Sequence, residues 1–261
     1  MKIYKFHFIE KESDITIISE SKNAIIRAKS EFHLHRRILE KYIINHKEFL
    51  TSFSPIKVQT DYDIINLMVK AALLCDVGPM ATVAGAFADL MLKIMKSKND
   101  DFDTAKIALI ENGGEIANDS EKTMKIALFA GSNELNLNIG FLIEKKDCPI
   151  GIATSSATIG HAVSLGQADA VTIFAENATI ADGAATKIGN IVKGEDIEKS
   201  IKNGLDFVDD LEDIRGVFIS RKNKIGITGD IPQMVKIEGT KELILKNKIE
   251  YFLPGNFEIF K

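Results

Sequence analysis

Asp182 and Thr186 lie four residues apart in the stretch ATIADGAATKI. On a helix that spacing puts both side chains on one face. A carboxylate and a hydroxyl so placed can reach one hard cation, and Mg2+ takes oxygen ligands. Gly183 lies between them, where glycine costs roughly 1 kcal/mol relative to alanine in a helix interior. That cost points to close approach by another backbone or a ligand. An alanine-rich helix packed tightly on a sheet, with Asp182 solvated, accounts for the same spacing.

Three further stretches carry chemistry-bearing groups. Asn112-Gly113-Gly114-Glu115 follows an apolar run, and Asn-Gly is a strong hairpin signal. A tight turn explains it; the glycines would equally let a ligand approach the backbone. In Gly78-Pro79-Met80-Ala81-Thr82 a proline opens a helix, and the free N–H groups of a helix N-terminus favour a phosphate. Ala153-Thr154-Ser155-Ser156, with Thr158 close behind, places adjacent hydroxyls at a strand end, where they suit phosphate oxygens. His161 follows and is the candidate general base; a hydrogen-bonded structural histidine is the other reading. No GxSxG nucleophile signature is present. His7, His33, His35 and His46 read as surface residues, and Cys75 and Cys148 as structural thiols.

Positioning these groups requires both strands and helices. Residues 3–9 alternate apolar and polar, and after Lys11-Glu12-Ser13-Asp14 comes Ile15-Thr16-Ile17-Ile18, which reads as a β-hairpin. From Ser21 to Phe49 the apolar residues recur at three- and four-residue spacing among Arg and Lys, predicting a basic helix. Further helices are expected over Tyr62–Leu74, from Pro79 with the stripe Val83, Phe87, Leu90 and Ile94, after Asn177, and over Ser200–Asp213. Asn177 is a candidate N-cap, with Ala178, Ala181, Ala185 and Ile188 facing the core. Strands are expected over Lys106–Glu111, Lys125–Ala130, Leu137–Leu142, Gly151–Ser155 and Ala170–Ala175, and around Gly226, Gly229 and Gly255. The pattern gives one α+β domain over residues 1–261, with the hairpin and basic helix in 1–55 and a site-bearing core in 56–255.

With 33 Lys and Arg against 37 Asp and Glu, the net charge of −4 gives no support to a nucleic-acid or anionic-membrane partner. Two cysteines without a CxxC or Cys/His cluster argue against a zinc site or a disulfide framework. No apolar run approaches the ~18 residues of a membrane span. The opening MKIYKFHFIEKES lacks the apolar core of a secretory signal, so a cytoplasmic protein is expected.

Taken in order, the four stretches resemble the ApbE superfamily, whose characterised members are FAD:protein FMN transferases. Asp76–Asp89 (DVGPMATVAGAFAD) is similar to that family's Gly-Gly-Ile-Ala-Lys-Gly-Tyr-Ala stretch with its trailing Asp. NGGEI, ATSS with His161, and ADGAAT are similar to its Gly-Gly-Asp-Ile, Ala-Thr-Ser-Gly with histidine, and Ala-Asp-Ala-Leu-Ala-Thr segments. The N-terminal hairpin and basic helix resemble more closely the cytoplasmic ApbE-like family of archaea and bacteria.

The resemblance implies a T-fold-related α+β fold of mixed and antiparallel sheets with packed helices, and a site for FAD or FMN. It implies Mg2+ held by Asp182, Thr186 and the backbone carbonyl of Ala81, with Asp182 and His161 as catalytic residues. The nucleotide would meet Met80, Thr82, Asn112, Gly113, Gly114, Glu115, Thr154, Ser155, Ser156 and Thr158. It further implies FMN transfer from FAD to a protein acceptor, or cleavage of the FAD pyrophosphate, and a homodimer by analogy. The chain departs from the pattern at Thr82, where the transferases have lysine, and at Ser164-Leu165, where they have Asp-Pro. These departures support an alternative: an accessory protein on the same scaffold, with a family-level link to anaerobic sulfide assimilation and homocysteine formation. A pterin or purine site, by analogy with the T-fold, would use Glu115 as its anchor.

Overall fold

In the computed structural model the described residues are 1–98, 103–128, 130, 135–156, 166–208, 211, 213–238 and 257–259. The chain opens with the expected hairpin, β1 (Ile3–Glu10) and β2 (Ser13–Ser19), joined through Lys11 at φ 53°. Alternation sorts its side chains. Tyr4, Phe6 and Phe8 pack with Ile15 and Ile17 under the helices, while Ile18 faces the other way.

Helix α1 (Lys22–Asn45) starts where the Ser21 hydroxyl accepts the Ala24 N–H at 3.2 Å. Its buried face is Ala24, Ile25, Ala28, Phe32, His35 and Leu39, the three-and-four spacing of an amphipathic helix. His35 departs from its surface reading: it is 6% exposed, with Nε2 against Glu31 at 2.9 Å. His7 is also half-buried, 2.6 Å from Asp14. In both cases a carboxylate partner lets an imidazole sit at a packed position.

A short helix α2 (Lys47–Thr51) precedes α3 (Asp63–Cys75), which ends on Asp76 in the left-handed conformation at φ 53°. The expected Pro79 helix is divided: one 3-10 turn covers Pro79–Thr82, and the α-helix α4 runs Val83–Met95. Strands β3 (Ala108–Asn112) and β4 (Glu115–Asn118) follow. Gly113 and Gly114 make the two-residue turn between them at φ 68° and 119°, the positive angles that this turn requires.

After β5 (Met124–Ala127) and β6 (Ile139–Ile143) come β7 (Ile150–Ser155) and β8 (Ala170–Ala175). Helix α5 (Ala178–Ile191) and helix α6 (Ile197–Asp206) lead into β9 (Ile214–Arg221), β10 (Lys224–Gly229) and β11 (Gln233–Lys236), with β12 at Phe257–Ile259. Helix α6 is displaced toward the N-terminus from the expected Ser200–Asp213. It starts early because Asp196 caps it by accepting the Lys199 N–H at 3.0 Å. The expected strand near Gly255 lies outside the described residues.

Two sheets result. The larger has the order β10-β9-β8-β7-β4-β3-β2-β1-β12, antiparallel throughout except for β1 with β12. The smaller is β11-β6-β5. The eight strands from β1 to β10, without β5 and β6, form two successive units, each a strand pair, its helices and a second strand pair. They join side by side where Ile116 of β4 pairs Ile152 of β7.

Helices cover one face of the large sheet, and the small sheet covers the other. Residues two apart divide accordingly: Val171, Ile173 and Ala175 face the helices, whereas Ala170 and Phe174 meet Phe141 and Ile143 of β6. Among the described residues no single helix is long and apolar enough to cross a membrane.

Candidate functional site

The centre of the site is the contact between α4 and α5, and small residues make it. A Cβ on Gly85 would sit 2.2 Å from the Ala178 carbonyl oxygen, and one on Gly183 would sit 3.0 Å from the Thr82 methyl. With no side chain there, the two backbones close in until each helix start meets a carboxylate of the other helix. Asp182 Oδ2 accepts the Gly85 N–H at 3.0 Å and the Asp182 carboxylate also takes the Ala84 N–H. Asp89 of α4 accepts the Ala178 N–H at 2.9 Å and the Thr179 N–H at 2.8 Å. The Thr179 hydroxyl donates to Asp89 as well, at 2.5 Å. Asn177 caps the remaining first-turn amide of α5, accepting from Ile180 at 2.9 Å.

Asp182 and Asp89 therefore exchange helix N-termini, and the two helices run antiparallel. Amides at a helix start lack intrahelical partners and attract negative charge. That attraction holds both carboxyls in place but does not fully offset their desolvation. Burial pushes Asp182 up to about 7 from an ordinary 3.8, against the Gly85 and Ala84 amides, which pull it down. Asp89 is raised for the same reason, against the opposing pull of its three donors.

Thr186 lies one turn beyond Asp182 on α5, and both side chains are half-buried. Asn112 joins this neighbourhood, its amide donating to the Ala84 carbonyl at 3.1 Å. The Gly113-Gly114 tip extends from it, with Gly113 exposed and the half-buried Glu115 beside it. Strand β7 ends at the same edge of the sheet, since Ile152 pairs Ile116 and Ser155 lies three residues further along. A Cβ on Gly189 would be 3.1 Å from the Ser155 hydroxyl. Ser155 thus faces α5 about 10 Å along its axis from Asp182, at 1.5 Å per residue.

Other expected residues are placed differently. Thr154 points to the opposite face of the sheet from Ser155 and shares a 3.0 Å hydrogen bond with Thr172. Thr82 is fully buried, and its hydroxyl donates to the carbonyls of Pro79 at 2.8 Å and Met68 at 3.3 Å. Met80 and Ala81 are half-buried in the 3-10 turn before α4, and Ser156 follows the end of β7. Thr158, His161 and Ser164-Leu165 lie outside the described residues.

Periodicity and motif order did not single out Lys187 or give a role to Asp89. Lys187 ties α5 to the end of α3 through Asp76 at 2.5 Å. Cys75 makes a second tie, its thiol donating to the Ile180 carbonyl at 3.6 Å, with burial pushing its pKa up to about 12. The visible sign of Asp89 was an acid inside the apolar run AGAFADLML. A groove of about 530 Å³ runs past Asp89, Asn177, Lys70 and Lys93 and is lined by none of the expected site residues.

Comparison with known proteins agrees with this architecture. The family model described as "AbpE bacteria" matches residues 2–219. A UPF0280 protein of Methanocaldococcus jannaschii is 40% identical over 238 residues, covering 90% of this chain and 94% of its own. A UPF0280 protein of Methanococcus aeolicus is 41% identical over 246 residues, with 93% of each chain covered. Among solved structures, the apo flavinyl transferase ApbE of Pseudomonas stutzeri aligns with a TM-score of 0.55 at 14% identity, over 87% of this chain and 94% of that one. The ApbE protein of Thermotoga maritima aligns with a TM-score of 0.52 at 14% identity, over 88% and 97%. At such identities the likeness is one of fold. The expected α+β fold is the ApbE fold, and the chain belongs to the ApbE-like family described as AbpE bacteria, with the UPF0280 proteins of methanogens as its relatives.

Proposed function

We propose that this chain binds a flavin nucleotide together with Mg2+ at the α4–α5 contact, and acts on the FAD pyrophosphate by transferring FMN or by cleavage. The observation that carries the reading is the setting of Asp182. Its carboxylate sits on the first-turn amides of α4, and Thr186 is one turn away at the edge of the sheet where the Gly113-Gly114 tip and Ser155 lie.

The donor set suits the ion. Among the described residues no cluster of three or more His, Cys, Asp or Glu could hold a metal. Mg2+ does not need one, since it is commonly held by one or two carboxylates with waters and substrate phosphates. Asp182, Thr186 and the Ala81 carbonyl would hold it, and when bound it would neutralise charge gathering on the phosphoryl oxygens. The amides at the start of α4 are taken by the Asp182 carboxylate and hold it in place for the ion. The glycine turn at Gly113-Gly114 lets a nucleotide approach the main chain, and the Ser155 and Ser156 hydroxyls offer donors to it. His161 is the proposed base for an incoming hydroxyl.

The likeness to proteins titled flavin transferases supports the flavin class. Incubating the protein with FAD and Mg2+, with and without an acceptor protein, and separating the products by chromatography tests the reaction. Release of AMP or formation of FMN supports it. Intact FAD under all conditions overturns catalysis.

Thr82 favours a second reading, a flavin-binding or accessory protein without turnover. The residue standing where the transferases carry lysine is buried, with its hydroxyl bonded internally, so it supplies no cation to a phosphate. Mg2+-dependent FAD binding without product would select this reading.

A further inference from the structure

The exchange of carboxylates between α4 and α5 is symmetrical in form, yet the reading above uses only one of the two acids. Asp89 lies on α4 one turn beyond Gly85 and spends both oxygens on α5, at 2.9 Å to the Ala178 N–H, 2.8 Å to the Thr179 N–H and 2.5 Å to the Thr179 hydroxyl. It sits at the far end of the contact from the Asp182–Gly85 bond, about 6 Å away along α4 at 1.5 Å per residue. Between the two acids the helices have no side chain to separate them, because Gly85 faces the Ala178 carbonyl directly. Two bonded ends with a bare middle fix both the separation and the axial register of two antiparallel helices.

Nothing local does this for α4. Its own cap residue, Thr82, makes no side-chain bond to the helix start. Asp182 is its cap, and Asp182 stays there only while α5 keeps its register.

We propose that Asp89 is a positioning residue for Asp182: by holding the first turn of α5 it sets where the Asp182 carboxylate, and Thr186 on the same helix, stand relative to the turn that enters α4. The functional consequence rests on the metal-site reading above, whereas the geometric coupling does not. Groups that orient a metal ligand typically change affinity by about 10- to 100-fold when removed.

The test uses the full-length chain as wild type, Asp89→Asn and Asp182→Asn, with two readouts. The first is amide hydrogen exchange followed by NMR. If Asp89 positions Asp182, Asp89→Asn speeds exchange about tenfold or more at Ala84 and Gly85, amides that Asp89 does not touch, as loss of a hydrogen bond implies. A residue that merely caps α5 would speed exchange at Ala178 and Thr179 alone, and that result overturns the proposal. The second readout is titration with Mn2+, followed by the EPR signal of the free ion. Asp182→Asn is expected to abolish binding and Asp89→Asn to weaken it about tenfold or more. Unchanged Mn2+ affinity in Asp89→Asn contradicts the positioning role. No binding to the wild type contradicts the metal site, and the exchange readout then still decides the coupling. Should Asp89→Asn fail to fold, Thr179→Val removes one bond to the same carboxylate and is read in the same two ways.

Discussion

The two sheet-and-helix units of this molecule are built alike but filled differently. In the first, the space between sheet and helices holds large side chains: Phe32, Met68, Phe87 and Met91, against Ile15, Ile17 and Ile110. Phe32 packs edge-on to Phe8 and Phe87, with centroids 5.5 Å and 5.0 Å apart. In the second, the corresponding layer holds Ala153, Ala175, Ala181, Ala184 and Ala185 with Val171, Ile173 and Ile188. Glycines complete it, and a Cβ on Gly151 would fall 1.9 Å from the Asn177 carbonyl carbon. Large side chains bury area and stabilise. Small ones give up area and bring main chains within reach of each other. The first unit anchors the fold and contributes the start of α4, and the second brings the start of α5, the Asp182 carboxylate and the β7 hydroxyls to it.

This contrast predicts separable effects. The largest loss of stability belongs to the first unit. Phe32→Ala should cost about 3–5 kcal/mol, read by urea unfolding, while leaving FAD and metal affinity of the folded fraction intact. Equal damage to binding would show that the units are not separable. Gly85→Ala comes next. Its new methyl meets a main-chain oxygen that cannot swing away, so about 1–3 kcal/mol should be lost. Here metal affinity should fall with it, in contrast to Phe32→Ala. Gly113→Ala falls in the β3–β4 turn, at the tip of the first unit's second strand pair. The left-handed angle at φ 68° should cost about 1–2 kcal/mol, with little change in the small-residue layer.

A pH effect sharpens the comparison further, because the raised acids sit on the α4–α5 contact. Asp182 is shifted from 3.8 up to about 7, so the folded metal-free chain holds a proton that the unfolded chain releases. Stability then declines as pH rises through this window, from about 4 to about 7. Asp89 acts in the same direction. Thermal melts across the window should show the decline in wild type and a weaker one in Asp182→Asn. Mg2+ should oppose it, since a metal ligand must be deprotonated and its affinity therefore rises over the same range.

Much of the scaffold was legible because it follows period. Alternation gave the β1–β2 hairpin, Asn-Gly gave the β3–β4 turn, and the three-and-four spacing of Ala178, Ala181, Ala185 and Ile188 gave the buried face of α5. The carboxylate exchange was not legible. It joins residues about 90 positions apart, Asp89 with Ala178 and Gly85 with Asp182, and helix-start signals are read from adjacent residues only. The same limit applies to Thr82. Proline at the start of a helical pattern was visible, but a 3-10 turn that swings the threonine inward depends on packing against α3 and α5. The opposite facing of Thr154 and Ser155 follows from strand alternation, once β7 is known to run through both.

The measurement that tests the central claim most directly is calorimetric titration of the purified chain with FAD, with Mg2+ and with chelator, in wild type and Asp182→Ala. The account predicts binding that requires Mg2+ and disappears in the variant. Binding indifferent to both chelator and substitution, or no binding at all by the wild type, would contradict it.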